Sequence, residues 1–176
     1  MDPLDVTWLP FELHADTPNE GIPLSEYFGS SPERVASMQD GLRRRAEDLG
    51  LAFRTPEILS NTRRAHILSE YARDEGKLDG LHRVLFQMNF VEGRNLGDDD
   101  VLREAARTAG LDPDAAMAAL GEPRYLERVE SSFQRAREIG ITGVPAFIVE
   151  GKYKIVGAHP LEALRDAFQR IAQAEV

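Results

Sequence analysis

From Leu78 to Gly93, LDGLHRVLFQMNFVEG, the apolar residues Leu81, Val84, Leu85, Met88 and Val91 recur at intervals of three and four. That spacing gathers them into one broad stripe of a 3.6-residue helix. The same logic predicts a helix over Asn61 to Gly76, with Ala65, Leu68 and Ala72 on one face, Ile67 and Tyr71 on its flank, and Gly76 closing it. Ser31 to Gly50 predicts another: Ser31 is placed to cap it, Pro32 suits the first helical position, and Gly50 suits the residue just past the end. Asp98 to Gly110 and Asp112 to Leu120 open with acids, which favour a helix amino terminus, and Pro123 to Gly140 is a longer sixth.

The pattern changes on either side of this block. AFIVEGKYKIVGA reads as two short β-runs joined at Glu150-Gly151, and Pro160 to Ala174 as an amphipathic helix turning Leu161, Leu164, Ala167, Phe168 and Ile171 inward. Near the amino terminus, Leu4 to His14 predicts one strand, bent by Pro10, with Trp8 and Phe11 as core residues; ADTPNEGIP after it reads as a loop. One strand and a hairpin separated by so much helix are expected to share a sheet, with the helical block as an insertion or a second lobe. No internal repeat or low-complexity segment points to a solenoid.

A chain of 176 residues suits one domain, or one domain carrying a large insertion. No run of about 18 apolar residues is available to span a bilayer, so a membrane role is not expected. MDPLDVTWLPF lacks a basic and then continuously apolar leader, and the expected location is cytoplasmic. Twenty-one Lys and Arg against thirty Asp and Glu leave a net charge of −9, with the basic residues interleaved among acids. Nucleic acid, which demands a concentrated positive face, is not an expected partner. Arg43 to Arg45 read as a solvated helix face, since Glu47 and Asp48 follow directly.

Candidate chemistry is sparse. The histidines His14, His66, His82 and His159 show no metal-ligand spacing, the Gly97-Asp98-Asp99-Asp100 run reads as a charged helix start, and Asn61 reads as a helix cap. There is no P-loop, no G-x-G-x-x-G and no G-x-S-x-G. No cofactor or metal is expected. The chain contains no cysteine.

Five stretches carry a family likeness: WLPFELHADTPNEG (Trp8 to Gly21), NTRRAH (Asn61 to His66), LFQMNFVEGRNLGDDDVL (Leu85 to Leu102), AGLD (Ala109 to Asp112) and GITGVPAFIVEGKYKIVGAHP (Gly140 to Pro160). In this order they resemble the DsbA-like thioredoxin-fold proteins, and within them the FrnE-like branch of thiol-disulfide oxidoreductases. The resemblance implies an α/β thioredoxin-like core, residues 1–22 and 122–176, interrupted by a helical insertion over 23–121. It implies that Thr142, Gly143, Val144 and Pro145 form the substrate-binding loop with a cis Val144-Pro145 bond; by its residues alone the bond reads as a trans proline opening a strand. It also puts His66 near the redox cleft as a substrate-side residue.

Family members begin with a strand and a Cys-x-x-Cys helix, where the helix amino terminus lowers the pKa of the first thiol. This chain is expected to start after that unit, so that no catalytic residue can be assigned and Leu4 to His14 corresponds to the second core strand. The expected origin is a truncated reading frame or a late start, ahead of a natural cysteine-free relative. The sheet would then hold a vacancy, relieved by direct pairing of the remaining strands, by a separately supplied piece, or by self-association into a homo-oligomer. Partners implied are thiol or disulfide proteins and small thiols, with no redox turnover by the chain alone. Two alternatives stand beside this: a glutathione-using transferase or isomerase similar to the kappa class, and a non-enzymatic peptide-binding or self-associating module.

Overall fold

The computed structural model describes residues 4–174. In chain order these form β1 (Ile22–Pro23), α1 (Leu24–Tyr27), α2 (Pro32–Asp48), β2 (Ile58–Leu59), α3 (Arg63–Asp74), α4 (Leu78–Phe90), α5 (Asp99–Thr108), α6 (Pro113–Ala119), α7 (Pro123–Glu138), β3 (Ala146–Val149), β4 (Tyr153–Val156) and α8 (Leu161–Ala174). The fold is a helix-dominated α/β arrangement with two small sheets. Two compact units divide it: residues 14–130, and residues 131–176 together with 1–13.

Helices α2 to α8 form where the sequence predicts them, whereas the four-residue α1 carries no such signal, and local chemistry explains three of the starts. The Ser31 hydroxyl accepts the Arg34 N–H at 3.4 Å ahead of Pro32, the Asp98 carboxylate accepts the Asp100 N–H at 2.8 Å, and that of Asp112 accepts the Asp114 and Ala115 N–H groups at 2.9 Å. Each satisfies a donor that the first helical turn leaves without a partner.

In the helical unit α3 packs against α4, α5 and α6. Leu68, Ala72, Leu81, Leu102, Ala105, Ala106, Ala116 and Ala119 are sealed from solvent, as are Tyr125 and Val129 from the first half of α7. The small residues let the helices approach closely, while each buried leucine contributes about 2–3 kcal/mol through the area it removes from water. Tyr125 locks one end: its ring meets Tyr71 edge to face at 5.9 Å and lies beneath the guanidinium groups of Arg124 and Arg128, at 4.4 and 5.4 Å. Arg128 in turn donates to the Asp74 carboxylate at 2.7 Å and holds it below its ordinary pKa.

β1 and β2 pair antiparallel, Ile22 opposite Leu59 and Pro23 opposite Ile58. The stretch expected to be loop from Ala15 to Pro23 therefore ends in a strand. What holds this region is polar: Asn61 donates to the Thr17 carbonyl at 2.6 Å, Asn95 to that of Asn19 at 2.9 Å, and the Ser60 hydroxyl accepts the Leu96 N–H at 3.1 Å. Gly97 sits so close to the Asn19 backbone that a Cβ there would collide with its carbonyl oxygen.

In the other unit β3 and β4 form a hairpin with Ala146 opposite Val156 and Val149 opposite Tyr153. Its turn is closed by the Lys152 N–H donating to the Val149 carbonyl at 3.1 Å, with Glu150 and Gly151 both at positive φ, 51° and 66°, the mirror-image turn that suits the twist of a hairpin. Phe168 of α8 meets Phe147 edge to face at 6.4 Å. Leu164, Ala167, Phe168 and Ile171 are half-buried as expected, whereas Leu161 stands exposed. It is the first residue of α8, about two turns from the ring contact that anchors the helix.

Two expectations are corrected. Leu4 to His14 is not a strand, and the strands do not share one sheet, since β1 pairs with β2 and β3 with β4 in separate two-stranded sheets. A strand needs a neighbour's N–H and C=O groups, and among the described residues none lies alongside this segment. It is held instead at buried Pro10, whose carbonyl accepts the Ser132 hydroxyl at 2.9 Å. Trp8, expected in the core, is 56% exposed.

Candidate functional site

The Thr142–Pro145 loop is suspended between two fixed ends. At the first, Ile141 is buried and its N–H donates to the Ala136 carbonyl at 2.8 Å, so the chain leaves α7 in a tight reversal. Lys154 of β4 reinforces that reversal: its ammonium donates to the Ile139 carbonyl at 2.6 Å, a cation placed at a helix carboxyl terminus, where the dipole favours it. At the second end the Pro145 carbonyl accepts the Gly157 N–H at 2.8 Å, which carries the β3–β4 ladder one step past Ala146. His159 closes over this point, its Nε2 3.0 Å from the Val156 carbonyl as donor.

Between these ends the Val144–Pro145 peptide bond is cis. Thr142, Val144 and Pro145 are exposed, and a Cβ added at Gly143 would meet nothing within 4 Å. Among the described residues the backbone N–H and C=O groups of Thr142, Gly143 and Val144 make no hydrogen bond to the rest of the chain. They remain available to an extended ligand, with the exposed Val144 side chain offering apolar contact beside them.

The loop supplies no thiol, and the only side-chain heteroatom in it is the Thr142 hydroxyl. His66, the other expected site residue, belongs to the helical unit: it lies in the first turn of α3, half-buried, with its N–H donating to the Thr62 carbonyl at 2.9 Å. Among the described residues no three His, Asp or Glu side chains are grouped to hold a metal.

The cap position of α3 is Thr62 rather than Asn61, yet the Asn61 side chain serves the helix start and more. Its Oδ1 accepts the Arg63 N–H at 2.9 Å while its amide holds Thr17, so the DTPNEG and NTRR stretches are tied through one side chain. Asn95 repeats the device, accepting the Gly97 N–H at 3.0 Å while donating to Asn19. The signal for this clasp was present in the sequence as two asparagines beside turn residues, but the pairing partners could not be read from spacing.

A depression of about 410 Å³ between α4 and α5 is lined by Arg83, Val84, Met88, Glu92 and Glu104 among others. Beside it Arg94 donates to Glu104 at 2.7 Å and keeps that carboxylate below its ordinary pKa.

YwbO of Bacillus subtilis is 29% identical over 175 residues, 98% of this chain and 82% of its own length. The ClpXP adapter protein SpxH of Shouchella clausii is 32% identical over 88 residues, 45% of this chain and 29% of its own. The crystal structure of a "probable DsbA oxidoreductase" from Streptomyces coelicolor superposes with a TM-score of 0.82 at 31% identity, over 91% of this chain and 72% of that one. The DSBA-like thioredoxin domain family matches residues 2–169. With a loop, hairpin and helical unit arranged as described, and a match extending over nearly all of its residues, the chain belongs to the DSBA-like thioredoxin domain family.

Proposed function

We propose that this chain is a FrnE-like member of the DsbA family that presents a substrate-binding surface without carrying dithiol chemistry of its own. The observation that carries the proposal is the absence of cysteine from all 176 residues of a chain that matches the family over residues 2–169. Disulfide exchange proceeds by thiolate attack, a mixed disulfide and resolution by a second thiol, so any thiol acting here comes from outside this sequence. Thr142, Gly143, Val144 and Pro145 are the proposed substrate contacts, with the free backbone groups of the loop pairing to an extended cysteine-bearing peptide. His66 is proposed as a substrate-side residue and residues 23–121 as the helical insertion. The proposed setting is cytoplasmic.

The test is chemical-shift mapping of the isotope-labelled chain with a short peptide carrying one blocked cysteine. The amides of Thr142, Gly143 and Val144 should shift and saturate, while α4 and α5 stay unperturbed. Shifts confined to other surfaces would remove the loop from the proposal.

A second reading, a non-enzymatic binding module, is favoured by one observation: in the unit containing the loop, Leu4, Val6, Trp8 and Leu9 are all more than half exposed. Several exposed apolar side chains within one short segment are in keeping with a binding surface, and one relative is named as an adapter protein. Binding of an apolar peptide lacking cysteine as tightly as its cysteine-bearing counterpart would favour this second reading.

A further inference from the structure

Helix α2 is poorly covered for its length. Of its 17 residues only Val35 is buried, and the one element packed closely against it is the four-residue α1. Yet its otherwise charged outer surface carries three exposed apolar side chains: Met38 is 56% exposed, Leu42 49% and Leu49, at the carboxyl cap, 74%. At about 100° per residue, Met38, Leu42, Arg45 and Leu49 fall within about 60° of one another, the 4-3-4 spacing of a helix–helix seam.

The charges beside the seam have a direction. Arg34 lies on one flank near the amino end and Asp48 on the same flank near the carboxyl end. Neither has an ion-pair partner among the described residues, whereas Arg43 on another face is held by Asp40 at 3.3 Å and Glu47 at 2.6 Å. Gly41 stands at the middle of that flank with nothing within 4 Å of where its Cβ would be.

We infer that α2 is a self-association helix that pairs antiparallel with α2 of a second copy of this chain. A two-fold axis beside Leu42 sets Leu42 against its counterpart, Met38 against the aliphatic stem of the second copy's Arg45, and Arg34 against the second copy's Asp48. In an antiparallel pair the same flank of each helix meets itself, so both Arg34–Asp48 contacts form at once. Gly41 lets the backbones approach at the axis. The complementarity is with an identical helix run backwards, and for that reason the occupant is a second copy rather than an unrelated apolar peptide. The inference does not depend on the thiol chemistry or on the Thr142–Pro145 loop.

The test is sedimentation velocity of the full chain over a dilution series, with circular dichroism confirming the fold of each variant. Wild type should be a reversible dimer. Leu42→Glu, which places two carboxylates at the axis, and Arg34→Glu, which faces Asp48 with a like charge, should each weaken it by about tenfold or more. The double swap Arg34→Asp with Asp48→Arg should restore it, since the contacts reform with reversed sign. A wild-type chain that stays monomeric up to its solubility limit would overturn the inference. So would a dimer indifferent to Leu42→Glu and Arg34→Glu, or a double swap as weak as the single variant. Neither result would touch peptide binding at the loop.

Discussion

The Gly157 N–H donates to the Pro145 carbonyl at 2.8 Å, one position past the Ala146–Val156 pair that opens the β3–β4 ladder. The Pro145 end of the Thr142–Pro145 loop is thus an extension of the hairpin rather than a free connection. Gly157 can occupy this place because it sits at φ +99°, a backbone conformation that an L side chain rarely adopts. Gly157→Ala should therefore destabilise the chain by about 1–3 kcal/mol. A shift of the urea midpoint with an unchanged slope would register it; an unaltered midpoint would show that the bond contributes nothing.

Asn61 should be harder to replace than a solvent-facing cap. Both ends of its amide are used, one toward buried Thr17 and one toward Arg63. Asn61→Ala leaves the Thr17 carbonyl without its donor and should cost about 1–3 kcal/mol. Asn61→Asp keeps the acceptor for Arg63 but sets a charge against the Thr17 carbonyl, and should recover none of that loss. If thermal unfolding shows Asp to be as stable as Asn, capping alone would explain the residue.

Two leucines in helices should respond in opposite ways. Leu68 is sealed from solvent at the centre of α3, and Leu68→Ala should cost about 2–5 kcal/mol through lost transfer energy and the cavity left behind. Leu42→Ala, measured on the dissociated chain, should change stability by less than about 0.5 kcal/mol. Chemical denaturation of the two variants at high dilution checks the contrast directly.

Stability should fall on mild acidification, and His82 should be one cause. Burial in α4 holds its imidazole below the ordinary pKa, with Asp79 and Glu70 opposing and Arg73 assisting. The unfolded chain therefore takes up the proton first, at about pH 6.5. The stability that neutral His82 contributes is full above that value and is lost as pH drops toward and through the folded-state pKa. Melting temperatures between pH 8 and 5 should decline, and His82→Gln should flatten the upper part of that decline.

The helices were legible because their information is local. Caps at Ser31, Asp98 and Asp112 and three-four apolar spacing act within a few residues, and each operates where expected. Strands are pairings, and the apolar run of Leu4 to His14 looks the same whether or not a partner lies beside it. The two-residue strands β1 and β2, whose partners Ile22 and Leu59, Pro23 and Ile58 lie far apart in the chain, leave no periodic trace at all. Likewise the Thr142–Pro145 loop stands out only by family likeness, since no periodic pattern distinguishes it from an ordinary turn. The Asn61–Thr17 and Asn95–Asn19 clasp needed coordinates, because 44 and 76 residues separate the partners.

The most direct measurement is turnover by the pure chain in an insulin-reduction assay with a small-thiol reductant, beside a dithiol-bearing DsbA-family enzyme as reference. With no cysteine in the sequence, the expected rate is that of the reductant alone. A rate that rises in proportion to the concentration of this chain, and survives removal of every other thiol protein, would contradict the proposal that its role is to bind rather than to exchange disulfides.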